Sequence, residues 1–175
     1  MQPPNLDNIT VPGGIVLNFD FGEGMQDLGE IVPDSLSIEP KSTELVVETQ
    51  RSGKMRTAKV IPIKEEVSLK FKLTEPVIDH LRPFFKGGDI TVQEESLTFP
   101  VGTAQFQEGA ARLDFSPSVG LSGKYHIHKC QLKPDGAINF DPKKELQLGF
   151  IMEVLDDYEN NPTEPYGYWE ALSES

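Results

Sequence analysis

Two stretches of this chain alternate apolar and polar residues with a period of two, and that period excludes most folds. In Val67-Ser68-Leu69-Lys70-Phe71-Lys72-Leu73 four apolar residues point one way, and Ser68, Lys70 and Lys72 point the other. In Leu146-Gln147-Leu148-Gly149-Phe150-Ile151-Met152-Glu153-Val154 five apolar residues share a side. Such alternation specifies strands with one buried face. Shorter segments read the same way: Ile15–Phe21, Ser35–Glu39, Glu44–Thr49, Asp89–Gln93, Ser96–Val101, Ala111–Phe115 and Tyr125–Leu132. Leu28–Val32 is a short strand or a strand-like connection. The 14 prolines and 15 glycines fall mostly between these runs, as turn residues do in β-rich domains. The predicted fold is mainly β, a sandwich or barrel flanked by one short helix.

That helix follows Thr74, which is placed to cap it, with Glu75 and Pro76 in the first turn. Val77, Ile78 and Leu81 share a face and are expected to pack on the sheet, because about two turns of helix are unstable alone. Pro83 lacks an N–H and should stop or kink the helix, and Gly87-Gly88 completes the break.

The 175 residues fit one domain, and Lys plus Arg at 16 against Asp plus Glu at 28 gives a formal charge of −12. Such a surface repels nucleic acid and anionic lipid. The single cysteine, Cys130, rules out an internal disulfide. The first residues, Met1-Gln2-Pro3-Pro4-Asn5, have neither the basic nor the apolar region of a secretory signal, and no run is apolar for the ~18 residues a membrane helix needs.

Three segments carry candidate function. His126-Ile127-His128-Lys129-Cys130 would place three metal-capable side chains on one strand face, but Leu132 continues that face and argues for packing, and no metal is assigned. Asp79 and His80 are adjacent, so they diverge on a helix and make a poor acid–base pair. No nucleophile elbow, phosphate loop or dinucleotide fingerprint is present, and no catalytic residue or cofactor is assigned. The basic stretch 50–59, with Arg51, Ser52, Gly53, Lys54, Met55, Arg56 and Lys59, reads either as a solvated loop or as a contact with an acidic surface of a neighbouring copy. Tyr166, Tyr168 and Trp169 in the tail read as anchors of a C-terminal arm on its own domain or a neighbour.

The order of these features resembles the major tail tube proteins of long, non-contractile-tailed bacteriophages. The likeness spans roughly Asp27 to Tyr168. It runs from Leu28-Gly29-Glu30-Ile31 through Ser37-Ile38-Glu39-Pro40 and Leu45-Val46-Val47-Glu48 to the loop Arg51-Ser52-Gly53-Lys54. It continues through Val67 to Glu75, straight into the short helix Val77-Ile78-Asp79-His80-Leu81, and ends with the late strand Leu146–Val154 and Pro165-Tyr166-Gly167. The resemblance implies one domain over 1–175, with an N-terminal arm over about 1–14, an inter-ring loop over about 50–59 and a C-terminal arm over about 156–175. It implies hexameric rings stacked into a tube, each copy lending strands to a closed inner barrel. The implied partners are further copies and other tail proteins (tape measure, terminator, distal tail), with DNA passing without adhesion through an acidic lumen, no membrane, and a place in the virion. The rival readings are another ring-forming tail or secretion-needle protein, a carbohydrate-binding β-sandwich with Trp169 as a sugar platform, and, last, a carboxylate-based hydrolase.

Overall fold

The computed structural model describes residues 14–32, 34–74, 78–116 and 122–171. The strands are β1 (Gly14–Asp20), β2 (Met25–Asp27), β3 (Ser37–Arg51), β4 (Lys54–Thr74), β5 (Thr91–Gln93), β6 (Ser96–Thr98), β7 (Gln107–Ser116), β8 (Gly123–Pro134), β9 (Gln147–Val154) and β10 (Tyr168–Ala171). The one helix among the described residues, α1 (Ile78–Phe84), lies between β4 and β5. Apart from Gly14, the expected N-terminal arm lies outside the described residues, as does Val77.

One antiparallel sheet runs in the order β2-β1-β7-β8-β9-β4-β3, with β10 paired to β8 and the β5–β6 ribbon separate. Alternation explains its buried side. Leu69, Phe71 and Leu73 of β4 sit opposite Met152, Phe150 and Leu148 of β9, and all six are at most 2% exposed. Leu17 and Phe19 of β1 lie opposite Leu113 and Ala111 of β7 and complete that side. The segment after β2 joins the far strands. Leu28 N–H donates to Leu17 O of β1 at 2.9 Å, while Val32 N–H donates to Lys72 O at 2.8 Å and Thr74 N–H to Glu30 O at 3.0 Å. The expected strand-like connection over Leu28–Val32 thus closes the sheet into a barrel around a single core.

Helix α1 caps that core. Phe84 packs edge-on against Phe150 at 5.7 Å, Phe150 stacks on Phe71 at 5.8 Å, and Leu81 is half-buried against the same cluster. Thr74 is the last residue of β4, its N–H donating to Glu30 O, and the expected first turn, Glu75-Pro76, lies outside the described residues. As expected, the helix stops near Pro83, ending one residue later at Phe84.

Phe150 touches both the sheet and the helix, so Phe150→Ala should destabilise the domain by about 3–5 kcal/mol. Urea unfolding checks this as a lower midpoint at unchanged slope.

Candidate assembly interface

Only Val67–Thr74 of β4 pair with β9. Residues 41–51 and 54–66 pair with each other alone, so a two-stranded ribbon leaves the barrel and extends about 35 Å at ~3.3 Å per residue. It closes at Ser52-Gly53, with φ of 56° and 74°. Two consecutive positive φ angles make the tight two-residue turn whose twist suits antiparallel strands, and Gly53 takes the second place without Cβ strain. The predicted loop 50–59 is therefore mostly strand: Gln50 pairs Met55, Thr49 pairs Arg56 and Val47 pairs Lys59.

The ribbon has two chemically different faces. Residues opposite each other in an antiparallel pair share a face. The pairs Thr43/Lys64, Leu45/Ile61, Val47/Lys59 and Thr49/Arg56, with Lys54 beyond them, form one face. Lys41, paired to Glu66, continues it at the root. The other face carries Ser42/Glu65, Glu44/Pro62, Val46/Val60, Glu48/Thr57 and Gln50/Met55. Cations thus dominate one side, with Glu66 at its root, and carboxylates line the other. Each side keeps an apolar middle, and Leu45, Val46, Val47 and Val60 are 37–51% exposed.

Register shifts between Thr43/Glu44 and Val47/Glu48 produce this segregation, leaving Ile63 and Ala58 of β4 without partners. Each extra residue reverses the facing of the strand beyond it. A strand alternating strictly from Lys54 would send Lys59 to the side opposite Lys54 and Arg56. The first bulge returns it to their side, and the second does the same for Lys64.

Charge divides in the same way. The stretch 41–66 holds six cations and four anions, +2, so the other residues carry −14 against a total of −12. At the root, Glu39 meets Lys41 at 3.5 Å and Lys70 at 3.9 Å, and Lys64 pairs with Glu66. Among the described residues, Lys54, Arg56 and Lys59 make no ion pair.

The C-terminal segment folds back on its own domain. Strand β10 pairs Tyr168 with His126 and Trp169 with Tyr125. Tyr168 stacks on His126 at 4.5 Å, Trp169 lies 6.3 Å from Tyr125, and the Tyr125 hydroxyl donates to Tyr166 O at 2.9 Å. His126 Nε2 lies 3.0 Å from Glu170 and His128 Nε2 lies 3.4 Å from Glu164. Gly167 is required where the chain crosses β8, since at φ +94° a Cβ there would sit 1.9 Å from His126 O.

The expected single face of His126, His128 and Cys130 is split. The β7–β8 ladder shifts register between Gly109 and Ala111, so Ile127 and Cys130 both enter the core while the two histidines stay half-buried beneath Tyr168. No group of three potential metal ligands occurs among the described residues. His80 is half-buried at the barrel end, and burial lowers its pKa against the opposing pull of Asp79 and Asp27.

The fold is similar to that of a chain in the tail of an empty GTA particle, refined with helical C6 symmetry, at 8% identity and a TM-score of 0.46 over 91% of this chain and 96% of that one. It is also similar to a chain in the six-fold-symmetrised baseplate of the anti-feeding prophage, at 11% identity and a TM-score of 0.43 over 99% of this chain and 98% of that one. No protein-family model and no curated protein matches the sequence.

Cys130 supplies a test of the core. Its thiol donates to Gly109 O at 3.2 Å, and burial pushes its pKa up from 9.0 to about 12. Iodoacetamide at pH 8 should leave the native protein unlabelled and label it fully in denaturant. Because only the unfolded thiol ionises above pH 9, the stabilising contribution is complete below that value and declines as pH rises toward 12.

Proposed function

We propose that this chain is a structural subunit of a bacteriophage tail tube, forming hexameric rings that stack into a channel for viral DNA. The observation that carries the reading is the ribbon 41–66. It is a two-stranded element with apolar residues on both sides and no covering from the described residues of its own domain. An isolated two-stranded ribbon is marginal in water, and one this long is stabilised when neighbouring protein covers it. The sequence resemblance to tail tube proteins, which places its exposed loop at the ribbon tip, supports the same conclusion.

In this reading the tip residues Ser52, Gly53, Lys54, Met55 and Arg56 reach the next ring, whose body is acidic. The net charge of the assembled wall keeps DNA from adhering as it passes. The role is mechanical and needs no cofactor. Tyr166, Tyr168 and Trp169 hold the C-terminal arm against β8 and so keep that edge from competing pairings.

Negative-stain microscopy of concentrated protein tests the reading, with rings or tubes as the expected outcome. Lys54→Glu with Arg56→Glu should leave the far-ultraviolet dichroism and the rings intact but give shorter and fewer tubes. A chain that stays monomeric at every concentration would remove the proposal.

A further inference from the structure

We propose that the ribbons of neighbouring copies stack face to face, the basic side of one on the acidic side of the next. This rests on the self-assembling reading above and adds the contact that links adjacent copies.

The two faces match in register. When one ribbon is laid over another in the same direction, Lys64 of the basic side meets Glu44 and Glu65 of the acidic side. Leu45 and Ile61 meet Val46 and Val60, and Lys59 meets Glu48. Each face therefore presents an apolar middle flanked mainly by charge opposite to its partner's, Glu66 at the root of the basic side excepted. Stacked sheets pack about 10 Å apart with their side chains interdigitated, so these groups come within contact range. The arrangement is heterologous: every copy offers one face forward and the other backward, so the contact propagates from copy to copy. One face of about 350 Å² (35 Å long and ~10 Å wide) is below the size of a stable pairwise interface, so the contact works by repetition around the assembly.

The edges of the ribbon are poorer docking sites than its faces. On β4 the outer edge is interrupted by the two bulges and by Pro62, which has no N–H. On β3 the edge carries Pro40, Lys41, Glu44 and Glu48, residues that discourage strand addition. The resemblance to tail tube proteins implies strand-by-strand closure of one barrel; within this segment the ribbon chemistry favours stacking.

Charge exchange tests the pairing. Lys59→Glu alone and Glu48→Lys alone should each lower the sedimenting fraction by on the order of tenfold, and the double variant in one chain should recover most of it. The two residues lie on opposite sides of their own ribbon, so recovery can only come from contact between copies. A double variant as defective as the singles overturns the proposal. Oxidative cross-linking gives a second readout on a mixture of Leu45→Cys and Val46→Cys chains, with buried Cys130 left in place. Stacking predicts disulfides between the two kinds of chain. Cross-links only within one kind indicate edge pairing and overturn the proposal while leaving self-assembly standing. Lys59→Glu that assembles normally but loses retention of a short DNA duplex also overturns it, assigning the basic face to phosphates. A wild-type chain that never assembles removes the parent reading instead.

Discussion

Strand β4 is the member on which the rest depends, because one hydrogen-bonded element serves two environments. Its last eight residues are held between two neighbours, their buried side chains forming the middle of the core with those of β9. The remainder has one neighbour, β3, and water on both faces. Continuous backbone pairing carries the rigidity of the barrel outward into the ribbon. A flexible loop of the same length would lose much more conformational freedom on docking than a ribbon already paired.

Charge then divides between the body and the ribbon. The body carries −14, while the far end of the ribbon carries cations that pair with no described residue of their own chain. Pairs near the root, such as Lys41 with Glu39 and Lys64 with Glu66, are exposed and contribute little to stability. Their effect is to neutralise the root and leave the excess positive charge toward the tip. Long-range attraction of this kind falls with salt, since charges beyond about 8–10 Å are screened.

The barrel was legible in the sequence because its strands alternate without interruption. Leu69, Phe71 and Leu73, and Leu148, Phe150 and Met152, could be assigned to one side from period alone, and all of them are buried there. The outer half of β4 was not legible for the same reason inverted. Two bulges within six residues break the period, so Met55, Val60, Ile61 and Ile63 show no alternation and the stretch reads as a loop. The same effect merged His126, His128 and Cys130 into one expected face. The capping expected of Thr74 involves residues outside the described ones; within them its N–H donates to Glu30 O and it ends β4. Strand β10 is four exposed residues with no core signal, and only the proximity of β8 makes it a strand.

The unpaired positions Ala58 and Ile63 make the spacing of β4 matter more than the residues that occupy it. Most replacements at either place would leave the ribbon's sidedness intact. Losing either of them would straighten the ladder, because the same residues would still pair and share a face, whereas losing a paired residue between them would turn the intervening apolar residues to the other side. Relatives are thus expected to tolerate a one-residue gap at either of these two positions and to conserve the number of residues between them.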